Sequence, residues 1–171
     1  LDIFLVNSGK LEDPVKLPAN FARREPAFWN RFYRQNPDGS FTDVTAAAGL
    51  ADAGNNYGMG VAVGDYNSDE FADLYVTSYG RNVLYRNNGN GTFINKRGEW
   101  LKHTSSAGMG VDAADFNNDG WPDILQVDMQ PHDLSGRKRV SGLATLGGMR
   151  ELRSRGFHDD YGANTLQLNS G

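Results

Sequence analysis

The segment Asp65-Tyr66-Asn67-Ser68-Asp69-Glu70-Phe71-Ala72-Asp73 places oxygen-bearing side chains at its first, third, fifth and ninth positions. In a tight loop, alternate side chains can turn towards one point. Three carboxylates and an amide there would supply the core of an oxygen shell for a hard cation such as Ca²⁺, which accepts irregular geometry. The backbone carbonyl of the seventh residue, Phe71, is a further candidate ligand. The same spacing returns in Asp115-Phe116-Asn117-Asn118-Asp119-Gly120-Trp121-Pro122-Asp123, with Trp121 at the seventh position. Asp and Asn also favour turns for their own hydrogen bonding to nearby amides, and one loop alone fits that reading too. Two loops of identical spacing favour the cation, because like charges held close repel unless something positive lies among them.

Other cation chemistries fit less well. An EF-hand needs a bidentate Glu at the twelfth position, where this chain has Val76 and Gln126. Zinc would call for His or Cys, and neither occurs in the loops. Mg²⁺ demands strict octahedral geometry and keeps its own waters. The two loops differ at the sixth position. Gly120 can take the left-handed backbone that a sharp turn needs, whereas Glu70 takes it at a steric cost of about 1 kcal/mol. The loop at 115–123 is therefore expected to be the better site.

The elements that must hold these loops are also repeated. Gly58-Met59-Gly60-Val61 returns as Gly108-Met109-Gly110-Val111, an offset of about 50 residues. Asn82-Val83-Leu84-Tyr85-Arg86-Asn87 resembles Asn30-Arg31-Phe32-Tyr33-Arg34-Gln35, and Asn164-Thr165-Leu166-Gln167-Leu168-Asn169 is a third copy. Asp38-Gly39 and Asn90-Gly91 are tight-hairpin signals. Asp2-Ile3-Phe4-Leu5-Val6 matches the strands that begin at Asp73 and Asp123, so Asp2 reads as the last residue of another acidic loop.

The middle copy resolves into four short strands at 59–64, 73–79, 82–87 and 92–96, rich in Val, Leu, Tyr and Phe. Four antiparallel strands per repeat predict an all-β chain of β-propeller blades. The expected division is an incomplete blade at 1–50 with an insertion at 8–29, a complete blade at 51–107, and an incomplete blade at 108–171 with an insertion at 129–163. The chain thus reads as a partial propeller that starts within a repeat. Leu143, Leu146, Met149 and Leu152 suit a short helix in the second insertion.

Composition agrees with a globular chain. There are 171 residues, 39% of them hydrophobic, with a net charge of -4 and 21 glycines. The mild charge gives no general pull towards nucleic acid. Arg137-Lys138-Arg139 with Arg150, Arg153 and Arg155 reads as a solvated face. No cysteine is present, which excludes disulfides and thiolate metal sites. No stretch has the apolar length of a membrane span, and no signal peptide opens the chain. His103, His132 and His158 form no nucleophile or zinc pattern, and His158-Asp159-Asp160 reads as a solvated loop. Asn90-Gly91-Thr92 is a glycosylation sequon on a turn that the repeat already explains.

Taken together, Asp-x-Asn-x-Asp-Gly-x-x-Asp before an apolar strand, then Asn-x-Leu-Tyr-Arg-Asn-x-Gly-x-Gly-Thr-Phe, resembles the FG-GAP/VCBS repeats of integrin-α-like propellers. Residues Asp128 to Gly171 look like secreted bacterial proteins that join such repeats to an ASPIC/UnbV module, similar to the cartilage acidic protein family. That module itself is absent, and Glu70 departs from the usual Gly. The resemblance implies a seven-bladed propeller, an extracellular setting, and Ca²⁺ roles for Asp65, Asn67, Asp69, Asp73, Asp115, Asn117, Asp119 and Asp123. The expected function is a non-enzymatic, calcium-stabilised scaffold for a protein or glycan ligand, or for assembly with further blades. The alternative is a propeller segment of a secreted carbohydrate-active enzyme with its active site elsewhere.

Overall fold

The computed structural model describes residues 1–7, 29–51, 57–79, 82–101, 104–105, 108–128 and 164–171. The expected helix at 141–155, the basic cluster, the three histidines and nearly all of both insertions lie outside the described residues.

The described chain is all-β apart from one turn of helix. Its strands are β1 (Asp2–Leu5), β2 (Arg31–Gln35), β3 (Phe41–Asp43), β4 (Tyr57–Gly64), β5 (Asp73–Tyr79), β6 (Val83–Asn87), β7 (Phe93–Asn95), β8 (Gly108–Ala114), β9 (Asp123–Asp128) and β10 (Thr165–Gln167). They form three antiparallel sheets: β1-β2-β3, β4-β5-β6-β7 and β10-β9-β8. The middle sheet is a complete four-stranded meander. The first sheet carries the counterparts of its second to fourth strands, and the third sheet the counterparts of its first to third. These are propeller-type blades, and none of them closes into a barrel.

Period-two alternation sends the middle blade's side chains into two separate cores. Leu74, Val76, Val83 and Tyr85 face the first blade and pack with Phe32, Ala48, Leu50 and Phe93. Phe32 and Phe93 meet edge-on, with ring centroids 5.5 Å apart at 86°. Tyr75 and Leu84 face the other way and pack with Leu101 and Ile124 of the third blade's side. Both faces of the middle sheet are thus covered, which accounts for its nearly continuous apolar runs.

The Gly-Met-Gly repeat has a specific role. Register shifts between Gly58 and Gly60 in β4, and between Gly108 and Gly110 in β8, so Met59 and Met109 sit on matching bulges. At these points blades approach closely. A Cβ on Gly60 would lie 2.7 Å from the Met109 carbonyl oxygen, and one on Gly58 would lie 2.3 Å from Val6 Cγ1. The Thr77 hydroxyl bridges the approach, 3.3 Å from the Gly60 carbonyl and 3.2 Å from the Met109 carbonyl.

Buried polar groups also join the middle and third blades. Gln126 Oε1 accepts from the Tyr75 hydroxyl at 2.7 Å and from Asn82 Nδ2 at 2.9 Å, and Asn82 Nδ2 also donates to the Ser105 carbonyl at 3.0 Å. Tyr75, Asn82 and Gln126 are all buried, so these bonds fix the blades' relative register as well as their contact.

The helical turn α1 (Arg97–Trp100) follows β7 and was not expected. Four residues are too few to show helical periodicity. It is set by Asn95 Oδ1, which accepts from the Arg97 amide at 3.1 Å, and by a Lys96–Glu99 ion pair at 2.6 Å. Its Trp100 stacks on Tyr66 with centroids 5.7 Å apart.

The close approach of blades predicts a sharp asymmetry between two glycines. Gly60→Ala should lower stability by about 1–3 kcal/mol, because the obstructing atom is backbone. Gly98→Ala, whose Cβ meets nothing within 4 Å, should be neutral or slightly stabilising. Urea denaturation midpoints would show this, and equal midpoints would refute the close-packed seam.

Candidate metal centre

The ninth-position aspartates have the clearest role. Asp73 opens β5 and is 1% exposed, and Asp123 opens β9 and is 0% exposed. Each carboxylate reaches two amides that are distant in sequence. Asp73 Oδ2 accepts from the Tyr66 amide at 3.0 Å, and Oδ1 from the Asn87 amide at 2.8 Å. Asp123 Oδ2 accepts from the Phe116 amide at 3.0 Å, and Oδ1 from the Asn169 amide at 2.8 Å. In the first blade, Asp2 Oδ1 accepts from the Gln35 amide at 3.3 Å. One carboxylate thus ties the start of the acidic loop, the start of its own strand and the end of the next strand.

The opposite end of the same strand pair is closed by asparagine. Asn30, Asn82 and Asn164 lie just before β2, β6 and β10. Their Oδ1 atoms accept from the amides of Asn7 at 2.9 Å, Ser78 at 2.8 Å and Asp128 at 2.8 Å. The sequence shows these asparagines as repeats but does not reveal this role. The signal was there: each Asn precedes its Gln35, Asn87 or Asn169 counterpart by the same interval that separates Asp2, Asp73 and Asp123 from Asn7, Ser78 and Asp128.

Inside the loops the first-position carboxylate gathers backbone amides. Asp65 Oδ1 accepts from Asp69 at 3.0 Å and Oδ2 from Glu70 at 2.7 Å. Asp115 does the same with Asp119 at 3.0 Å and Gly120 at 2.8 Å. Asp69 Oδ1 and Asp119 Oδ1 accept from the Phe71 and Trp121 amides at 3.1 and 2.9 Å. Asn67 Nδ2 donates to Asp69 Oδ2 at 2.7 Å, and Asn117 Nδ2 to Asp119 Oδ2 at 2.8 Å.

The sharp turn uses left-handed backbone at two places. The sixth residues have positive φ, 71° at Glu70 and 90° at Gly120. So do the fourth, Ser68 at 54° and Asn118 at 59°. The side chains of the seventh residues cover the glycine that follows the blade's third strand, Gly89 after β6 and Gly171 after β10. A Cβ on Gly89 would meet the Phe71 ring at 2.6 Å, and one on Gly171 would meet Trp121 at 2.9 Å.

Electrostatics separate the two loops. Burial, partly offset by its two amide bonds, pushes the Asp73 carboxyl above the usual carboxylate range, and the charges of Asp69 and Asp65 push the same way. The Asn67 amide, with help from Phe71 and Arg86, holds Asp69 below that range. Arg86 lies 3.1 Å from Asp69. Leu168 stands at the corresponding place in the third blade, and among the described residues Asp119 has no ion-pair partner.

The donor set fits a hard cation in chemistry. Asn67 Oδ1 is buried with no hydrogen-bond partner, beside carboxylates whose oxygens keep a second lone pair after each amide bond. Among the described residues, no group of three or more His, Cys, Asp or Glu side chains closes round a common point. In this arrangement the acidic side chains are turned to the loop's own amides.

The model of the FG-GAP-like repeat family matches residues 1–76 and 65–125, the second match running from the first acidic loop through the second. The chain belongs to the FG-GAP-like repeat family. Cartilage acidic protein 1 of Mus musculus is 37% identical over 95 residues, 54% of this chain and 14% of the relative. The Homo sapiens protein is 36% identical over the same share. The Xenopus tropicalis protein is 33% identical over 115 residues, 61% of this chain and 17% of the relative. The chain therefore spans only a small part of the length of these relatives.

The bracketing role of Asp73 is separable from any cation. Asp73→Asn keeps one acceptor and loses the other, leaving a buried amide unmet, at a cost of about 1–3 kcal/mol. That loss should persist in excess chelator. A variant as stable as the parent in chelator would show that the carboxylate acts only through a bound ion.

Proposed function

We propose that this FG-GAP-like repeat chain is a calcium-stabilised β-propeller scaffold of extracellular type. It is non-catalytic and serves binding, adhesion or assembly, towards a protein or glycan partner or further blades. The observation that carries the calcium reading is the orphaned, buried Asn67 Oδ1 of the first acidic loop, whose spacing recurs at 115–123, where Asn117 Oδ1 accepts from the Asp119 amide at 3.1 Å. A buried amide oxygen without a donor is costly, and a hard cation is the partner its neighbours' charge favours.

Bound there, Ca²⁺ would supply positive charge to oxygen donors and no redox or hydrolytic chemistry. Asp65, Asn67, Asp69 and Asp73 would hold it in the first loop, with the Phe71 carbonyl. Asp115, Asn117, Asp119 and Asp123 would hold it in the second, with the Trp121 carbonyl. Asp2 would be the matching ligand of the first blade. The chain's own contribution is to hold each loop's turn, through the first-position and ninth-position carboxylates.

Non-catalytic scaffolding is supported by where the polar side chains are spent. Asp2, Asp73, Asp123, Asn30, Asn82 and Asn164 all bond backbone amides that join strands. The relatives' family supports the extracellular setting. Among the described residues, no helix is long and apolar enough to cross a membrane.

Extracellular modules bind Ca²⁺ at roughly 10⁻⁴–10⁻³ M. At ten times the dissociation constant, linkage contributes about 1.4 kcal/mol per site. Two sites should raise Tm by about 5–10 °C for a chain of this size. A calorimetric scan in calcium against one in excess EGTA would show the shift, and coincident curves would overturn the proposal.

The loop at 115–123 should bind more tightly than that at 65–73. Gly120 takes its positive φ without strain, and Arg86 already neutralises part of Asp69. Calcium titration of Asp119→Ala should therefore show the larger loss of affinity than Asp69→Ala. Equal losses would refute the ranking.

A further inference from the structure

Asn169 makes a contact that its counterparts Asn87 and Gln35 do not show. Its backbone amide donates to Asp123 Oδ1 at 2.8 Å, as the repeat requires. Its Nδ2 reaches the Pro122 carbonyl at 3.3 Å, just as Asn87 Nδ2 reaches the Ala72 carbonyl at 3.1 Å. The same Nδ2 also donates across the blade boundary to the Tyr66 carbonyl. Tyr66 is the second residue of the first acidic loop, and its own amide donates to Asp73 Oδ2 at 3.0 Å.

An unbroken relay therefore joins the two ninth-position aspartates. It runs from the Asp123 carboxylate to the Asn169 amide, from the Asn169 side chain to the Tyr66 carbonyl, and from the Tyr66 amide to the Asp73 carboxylate. Tyr66 lies between Asp65 and Asn67, so its two peptide groups carry the backbone from which both of those side chains hang. The ring is held as well, by Trp100 at 5.7 Å.

We propose that Asn169 couples the two acidic loops, so that a cation in the loop at 115–123 strengthens cation binding in the loop at 65–73. This rests on the calcium reading above. An ion that orders the second loop fixes Asp123, and with it the end of the strand that carries Asn169. The side chain then holds the Tyr66 carbonyl in place, and the first loop loses less freedom when it binds. Coupling of this kind is reciprocal, with a typical factor of about 5 to 150 in affinity. Asn169 is a positioning residue in this scheme and does not itself touch either ion.

The test reads each loop separately in the full chain. Amide resonances of Glu70 and Gly120 report the first and second loops during a titration with CaCl₂. In the parent, Asp119→Ala should weaken first-loop binding at least about fivefold. In an Asn169→Ala background the same Asp119→Ala change should alter it by less than about twofold, because the relay is already cut. Asn169→Asp, which keeps the shape and the backbone amide but lacks the donor, should behave like Asn169→Ala and stands in for it should the alanine variant misfold. Equal weakening with and without Asn169, or none in the parent, overturns the coupling while leaving calcium binding intact. No response of either amide to calcium overturns the coupling and the calcium reading together.

Discussion

A carboxylate taken out of water must have its lone pairs met, and the sheets are arranged round that constraint. Asp73 and Asp123 are buried at the starts of β5 and β9, almost wholly out of solvent. Their oxygens are met by amides of the acidic loop on one side and of the next strand's end on the other. Hydrogen bonds to a charged acceptor are worth about 1.5–3 kcal/mol, and removal of the acceptor strands two buried donors. Asparagine closes the far end of the same strand pair, with a neutral acceptor at an equivalent place. Each blade therefore has its second and third strands pinned at both ends, and the loop that precedes them inherits a fixed base.

From that base the loop's shape follows. The first-position aspartate draws the fifth and sixth amides inwards, which requires left-handed backbone at Glu70 and Gly120. The result is a tight loop whose carboxylates are turned to its own amides over a rigid support, with Phe71 or Trp121 packed on the glycine beyond the blade's third strand. Between blades, close approach at Gly58 and Gly60 leaves no room for a side chain, with Gly60 facing the Met109 carbonyl and Gly58 the Val6 side chain. The Tyr75–Gln126–Asn82 cluster then sets the register. Loops and seams are thus parts of one construction, and Asn169 belongs to both.

The strands were legible because their signal is local. Alternating apolar residues between Gly, Asn and Asp marked 59–64, 73–79, 82–87 and 92–96, close to β4, β5, β6 and β7. The left-handed turn at Gly120 was legible for the same reason. What was not legible depends on partners remote in sequence. Asp73 and Asp123 read as ligands, and their hold on Asn87 and Asn169 emerges only when strands pair. Asn82 read as the first residue of a strand, yet it is buried between two blades. Arg86 gave no hint that it would meet Asp69, since the loop and the third strand are joined only through the fold. Positive φ at Ser68 and Asn118 was missed because Ser and Asn carry no obligatory signal for it.

A scaffold of this kind puts its specificity in what it displays and its stability in what it brackets. The described residues speak chiefly to the second. A hard cation held in the bracketed loops would show in anomalous diffraction from crystals soaked in calcium, then in a lanthanide. One peak is expected in each loop, the stronger at 115–123, with Asn67 Oδ1 about 2.3–2.6 Å from the calcium ion in the first. Maps without a peak in either loop at millimolar calcium would contradict cation binding.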